Sequence, residues 1–185
     1  SELTANISKE DSSIESQVGK IKSKLPEAIV YTGDPVEGVK IAKEIRKQGI
    51  KVPMIGGEDL YIDSFLKEGK DAVLGTIVYS GFYGNSDSPH NKKFADSYKK
   101  KTGESPDRIA ALGYEELMLV AEGLRKTKSM RPTHIRDSLS AIRDFRSVTG
   151  AVSFTEMREV KKHAYILKAE KEGGKIRFNL IGGEG

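Results

Sequence analysis

The sequence predicts an α/β fold built on a doubly wound parallel sheet, followed by helices that have no sheet of their own. Three observations carry this reading. Short runs of strand formers alternate with amphipathic helical segments over residues 1–80. The connections are a few residues long, as right-handed crossovers between parallel strands require. After residue 80 three helical segments follow one another without a strand, and short strand-like runs then close the chain.

Residues 2–7 alternate weakly and read as a short strand. Asp11 or Ser12 suits a helix N-cap, and Ile14, Val18, Ile21 and Leu25 then fall on one helical face, which Pro26 ends. Ala28–Tyr31 is a short apolar strand. Asp34, Pro35 and Glu37 form a helix start, with a capping aspartate, proline at the first helical position and an acid at the third. Val39, Ala42 and Ile45 share a face before Gly49 stops that helix. A strand is expected at Pro53–Gly57, a short helix near 60–68 and a longer strand at Val73–Ser80.

Gly81–Pro89 is rich in turn formers and reads as a linker. Helices are expected near 90–101, 107–126 and 132–143. The middle one is apolar around most of its circumference from Ile109 to Leu124, a pattern of burial on more than one side. Val148–Phe154, Ala164–Ala169 and Ile176–Leu180 are strand-like, with a hairpin turn at Lys171-Glu172-Gly173-Gly174 between the last two.

Composition excludes several classes. At 37% hydrophobic and 31% charged, the 185 residues suit a folded domain, not a disordered chain. No apolar run approaches the ~20 residues of a membrane span. Without cysteine there is no disulfide scaffold, thiolate metal site or cysteine nucleophile. The net charge of +4 comes from 31 bases and 27 acids spread along the chain. The densest cluster, Lys99-Lys100-Lys101, falls at a helix end where cations complement the dipole, and no aromatic interleaving suggests nucleic acid. Phosphate-binding glycine loops, a G-x-S-x-G elbow and an H-E-x-x-H pair are missing. His90, His134 and His163 are far apart and read as surface residues. No catalytic residue, cofactor or metal is expected.

Ligands of parallel sheets sit beyond the carboxyl ends of the strands. Two loops there carry acids, Thr32-Gly33-Asp34 and Gly57-Glu58-Asp59. Such carboxylates suit an ammonium group. Asp34 fits plain helix capping as well, and Glu58 and Asp59 fit a solvated turn.

Several stretches look familiar together: Leu25–Tyr31, Ile41–Ile50, Pro53–Gly57, Phe94–Tyr98 with Gly103 and Pro106, Ala110-Ala111-Leu112-Gly113-Tyr114-Glu115, and Val148–Phe154. In this order and spacing, from about residue 3 to 178, the chain resembles the carboxyl-terminal half of periplasmic substrate-binding proteins of the leucine/isoleucine/valine-binding family. The resemblance implies a periplasmic-binding-protein-like fold of two α/β lobes with a ligand cleft. It assigns 1–80 to a second-lobe βαβαβ, 81–89 to a hinge linker, 90–147 to helices of an incomplete first lobe and 148–185 to a return to the second lobe with a β-hairpin. Ser80–Ser88 and Asp144–Gly150 are the expected hinges.

For the site, the resemblance implies that Glu58 receives an ammonium group and that Asp34 occupies a second pocket position. That position is usually aromatic in branched-chain binders, so Asp34 argues against a purely aliphatic ligand. A contact from the returning first-lobe segment maps near Ile109. Thr155–Glu159 departs from the family's Asp–Gly-type turn. The implied function is an extracytoplasmic solute-binding protein, secreted or lipid-anchored, that hands an amino acid or related small molecule to the membrane permease of an ABC importer. The alternatives are a ligand-sensing regulatory domain of the same fold and, more remotely, a doubly wound α/β enzyme. Nucleic acid is not an expected partner. The family's amino-terminal part lies outside these residues, so helices 90–143 are expected to expose apolar faces. Self-association, with weak or no solute binding, is expected of this chain alone.

Overall fold

Ser13 opens the first helix, α1 (Ile14–Ser23), by accepting the Ser16 N–H at 3.2 Å. This is a computed structural model, and it describes residues 13–183. The expected strand at 2–7 and the capping candidates Asp11 and Ser12 lie outside them. Helix α1 ends before Leu25, which adopts a φ of 50° and is 85% exposed. The apolar face therefore stops at Ile21.

The chain divides into two units. The first holds residues up to Ser80 together with Ile166–Gly182, and the second holds Gly81–Tyr165. The sequence reading places the return to the first unit near 148. The division instead falls at Tyr165/Ile166.

In the first unit, β1 (Ile29–Tyr31), β2 (Met54–Gly56) and β3 (Ile77–Ser80) run parallel, with Tyr31 opposite Gly56 and Gly56 opposite Val78. Strands β7 (Tyr165–Glu172) and β8 (Lys175–Gly182) extend this sheet as an antiparallel pair, in the order β1-β2-β3-β7-β8. Their turn is tight because Gly173 and Gly174 both take positive φ, 57° and 79°, which side-chain-bearing residues rarely adopt. The anticipated strand at 73–80 begins only at Ile77, since Lys70–Val73 is a 3₁₀ turn.

Helix α2 (Pro35–Lys47) follows β1. Asp34 Oδ1 accepts the N–H groups of Val36 (2.8 Å) and Glu37 (3.0 Å), and Gly49 ends the segment at φ 78°. Its inner face of Ile41 and Ile45 packs with Val18, Ile29 and Ile50. Each such side chain contributes about 1.5–3 kcal/mol on burial. Helix α3 (Asp63–Gly69) presents Phe65, whose ring stacks on Phe178 of β8 at 6.5 Å.

Arg46, in the last turn of α2, ties the amino-terminal ends of two strands together. Its guanidinium donates to the carbonyls of Ile50 (2.8 Å) and Val52 (3.1 Å), which lead into β2. It also donates to those of Ala72 (3.3 Å) and Leu74 (3.2 Å), which lead toward β3.

The second unit contains α4 (Pro89–Thr102), α5 (Arg108–Lys126) and α6 (Pro132–Ser140), then β4 (Phe145–Ser147), β5 (Gly150–Phe154) and β6 (Val160–Lys162). The three strands form their own antiparallel sheet, ordered β4-β5-β6. The helices thus do have a sheet within the chain, a small one: Leu119 of α5, Ile142 and Val152 share a core with Leu139, Phe145 and Phe154. The expected hinge at Asp144–Gly150 is the β4 strand and its turn into β5, held by pairing to β5. At the unusual turn Thr155–Glu159, Arg158 takes a φ of 62° and Thr155 Oγ1 accepts the Glu159 N–H at 3.0 Å, doing without an Asp–Gly pair.

Glu115 of α5 is only 4% exposed. Its carboxylate accepts from the fully buried Thr149 hydroxyl and from the Lys162 ammonium of β6. This group fastens the helix to both the β4–β5 turn and the far strand. The opposite face of α5 presents Ile109, Leu117, Val120 and Leu124 to solvent, around a Gly113 with nothing beside it.

Two outcomes follow. Arg46→Met, which removes the guanidinium donor from four carbonyls, is expected to cost about 2–3 kcal/mol in urea unfolding, and Arg46→Lys most of that. Lys162→Met strands a buried carboxylate and is expected to cost about 3–5 kcal/mol, whereas Lys162→Met with Glu115→Met is expected to be milder than the single change. A double variant no more stable than Lys162→Met would contradict this.

Candidate functional site

The parallel register of β1, β2 and β3 brings their carboxyl ends side by side, and the loops leaving them form a rim on the first unit. Tyr31 closes β1. Its hydroxyl donates to the Asp34 carbonyl at 2.8 Å, folding Thr32-Gly33-Asp34 into a tight loop under the ring. Gly38 allows this closeness: a Cβ there would lie 3.0 Å from the Tyr31 ring and 3.1 Å from Leu60.

After β2 the chain turns into a single 3₁₀ turn, Glu58–Leu60. Leu60 is buried, and the Leu60 N–H reaches the Gly57 carbonyl at 3.2 Å, so the turn hangs from an apolar anchor. That leaves Glu58 half-buried and Asp59 exposed at the rim. The exposed Tyr79 of β3 lies over Gly57, where a Cβ would meet its ring and hydroxyl at 3.8 Å.

Asp34 and Glu58, both anticipated from sequence, stand on this one rim. The structure shows Asp34 capping α2 through Oδ1. Ile109, the third anticipated residue, belongs to the second unit, where it is 60% exposed in the first turn of α5. Tyr31 and Tyr79 are rim residues that pattern reading passed over. The available signal was an aromatic at or next to the carboxyl end of β1 and of β3.

The rim is acidic. Residues 31–37 and 57–61 carry Asp34, Glu37, Glu58 and Asp59 and no lysine or arginine, in a chain of net charge +4. The Tyr31 phenol registers that field: burial first, then the negative charges of Asp34 and Glu37, push it from its ordinary value near 10 up to about 12. Ionisation there would add a third negative charge to a crowded loop. The arrangement is suited to receiving a cationic group flanked by aromatic surface.

The histidines do not converge on it. His134 Nδ1 lies 2.7 Å from the Ser129 hydroxyl, and His163, expected at the surface, is half-buried with its ring edge-on to Tyr165 at 4.8 Å. Among the described residues no group of three His, Asp or Glu side chains is placed to hold a metal, and no helix is long and apolar enough to cross a membrane.

A family model described as periplasmic binding protein matches residues 4–175. Among curated relatives, the Leu/Ile/Val-binding protein homolog 1 of Brucella suis biovar 1 is 22% identical over 166 residues, covering 89% of this chain and 44% of that protein. The leucine-binding protein LivK of Thermotoga maritima superposes with a TM-score of 0.81 at 23% identity, over 92% of this chain and 48% of that one. The branched-chain amino acid transporter substrate-binding protein LivJ of Streptococcus pneumoniae, solved with isoleucine, gives 0.77 at 29% identity, over 95% and 50%. The chain spans about half the length of the relatives it matches. With its parallel sheet, acidic rim and closing hairpin, it belongs to the periplasmic binding protein family.

Proposed function

We propose that the first unit provides the ammonium-binding wall of an extracytoplasmic solute-binding protein, which delivers an amino acid to the permease of an ABC importer. The observation that carries this is the acidic, aromatic-flanked rim at the carboxyl ends of β1 and β2 in an otherwise basic chain. The similarity to LivJ, solved with isoleucine, supports the amino-acid class. Glu58 is the anchor for the ammonium group. Asp34, with Oδ1 committed to the helix cap, adds to the field more than to direct contact. The similarity to solute-binding proteins supports a role of capture and release.

The solute is polar enough to tolerate Asp34 beside it. On the full-length gene product, calorimetry is expected to show Glu58→Gln weakening amino-acid binding by about tenfold or more, the size of a lost charge-assisted contact. Asp34→Asn is expected to weaken it less. The 2-oxo acid of the same side chain, which lacks the ammonium group, is expected not to bind. Equal affinity for amino acid and oxo acid would overturn the reading.

The outward face of α5 bears on the behaviour of these 185 residues alone. Ile109, Leu117, Val120 and Leu124 lie on one uncharged arc and all are exposed. Contiguous apolar surface of that kind draws a partner. Light scattering is expected to give a mass above the 20.3 kDa of one chain, and Leu117→Glu is expected to lower it. A monomeric wild-type mass would refute the expectation.

A further inference from the structure

In the second unit a cavity of about 250 Å³ opens between α4 and β4. His90, Lys93 and Arg146 line it, and no acid does. None of these three side chains makes a hydrogen bond or ion pair with another described residue. Lys92, the neighbour of Lys93, shows the ordinary alternative: it pairs with Asp87 at 2.8 Å. The cavity therefore gathers uncompensated positive charge in a concave site, where the field is stronger than on a flat surface.

The other walls are aromatic. The Phe94 and Tyr114 rings lie 4.9 Å apart at 35°, and Phe145 borders the same space. The floor is the edge of a sheet. Among the described residues strand β4 pairs only with β5, so alternate backbone groups along its other side have no strand partner there. Asn91 of α4 donates to the Val148 carbonyl at 3.2 Å and fixes the helix beside the end of that strand. Bases, a strand edge and aromatic faces together match one chemistry: an anionic head on a flat apolar body.

We propose that this cavity binds a small aromatic carboxylate. Arg146 and Lys93 receive the carboxylate, and Phe94, Tyr114 and Phe145 pack against the ring. The volume suits a single ring with a short acid arm. The site lies wholly within the second unit and is independent of the acidic rim, whose charge would repel such a ligand.

The test is titration of the chain with phenylacetate, read by amide chemical shifts and calorimetry. Saturable binding at millimolar concentration or below is expected, with shifts centred on Phe94, Tyr114 and residues 145–148. Arg146→Gln and Lys93→Gln, both at exposed positions, are each expected to weaken binding about tenfold. Phenylacetamide, without the charge, and acetate, without the ring, are each expected to bind at least about tenfold more weakly. Four results would overturn the proposal. These are no saturable shift, acetate binding as well as phenylacetate, affinity unchanged in both variants, and shifts confined to residues 31–34 and 57–59. In the converse case, Glu58→Gln leaving phenylacetate binding intact would separate this cavity from the rim even if the amino-acid reading failed.

Discussion

The first unit depends on a single guanidinium. A parallel sheet has no hairpins to set its register, so something must fix where neighbouring strands begin. Arg46 does this by collecting carbonyls from the segments entering β2 and β3 while standing on the helix that leaves β1. Five donors in a rigid fork can satisfy several carbonyls from one point, which a lysine cannot. Because the register is set at the amino ends, the carboxyl ends arrive together, and the loops bearing Asp34 and Glu58 come to share one rim. The site is thus positioned by a residue at the opposite edge of the sheet.

The rim acids of the first unit and Glu115 of the second are placed in different ways. In the first, Asp34, Glu37, Glu58 and Asp59 gather at the rim without a base in the same loops, and burial, with the charges of Asp34 and Glu37 behind it, raises the Tyr31 phenol. In the second, Glu115 is taken out of water and neutralised by Lys162 and Thr149. A carboxylate held that way is a structural fastener, with both oxygens engaged. An acid at a strand end, in reach of solvent, suits the exchange of one cationic partner for another.

How far the sequence spoke depended on how local the signal was. The α2 start was legible because Asp34, Pro35 and the following acid act within one turn, and the three parallel strands were legible from their spacing. Strand β6 was hidden: Val160-Lys161-Lys162 carries two lysines, and its place is set by pairing with β5 and by the Glu115 contact 47 residues away. Strand β4 was hidden likewise, being three residues long with an arginine in the middle. The 3₁₀ turn at Lys70–Val73 resembled the start of a strand because Val73 and Leu74 are apolar in either conformation. Of the site, the two acids could be named from their loops, since parallel sheets bind at that end. Tyr79 offered only the signal of an aromatic near a strand end, because its place over Gly57, in the loop after β2, is set by the neighbouring strand.

Strand β8 closes the five-stranded sheet and, among the described residues, has only β7 beside it. Its outer edge is a row of backbone donors and acceptors over eight residues, a template on which any extended chain could add itself. The two ends of that row are unequal. Lys175 and Arg177 near the start are charged and exposed, and an incoming strand would have to bury or displace them. Leu180 and Ile181 near the finish are apolar and about half exposed, with no charge between them and Gly182. Fibrillar growth, under conditions that loosen the sheet, would therefore be seeded at the finish of β8 and resisted at its start. The basic residues at that start serve as gatekeepers of a sheet edge.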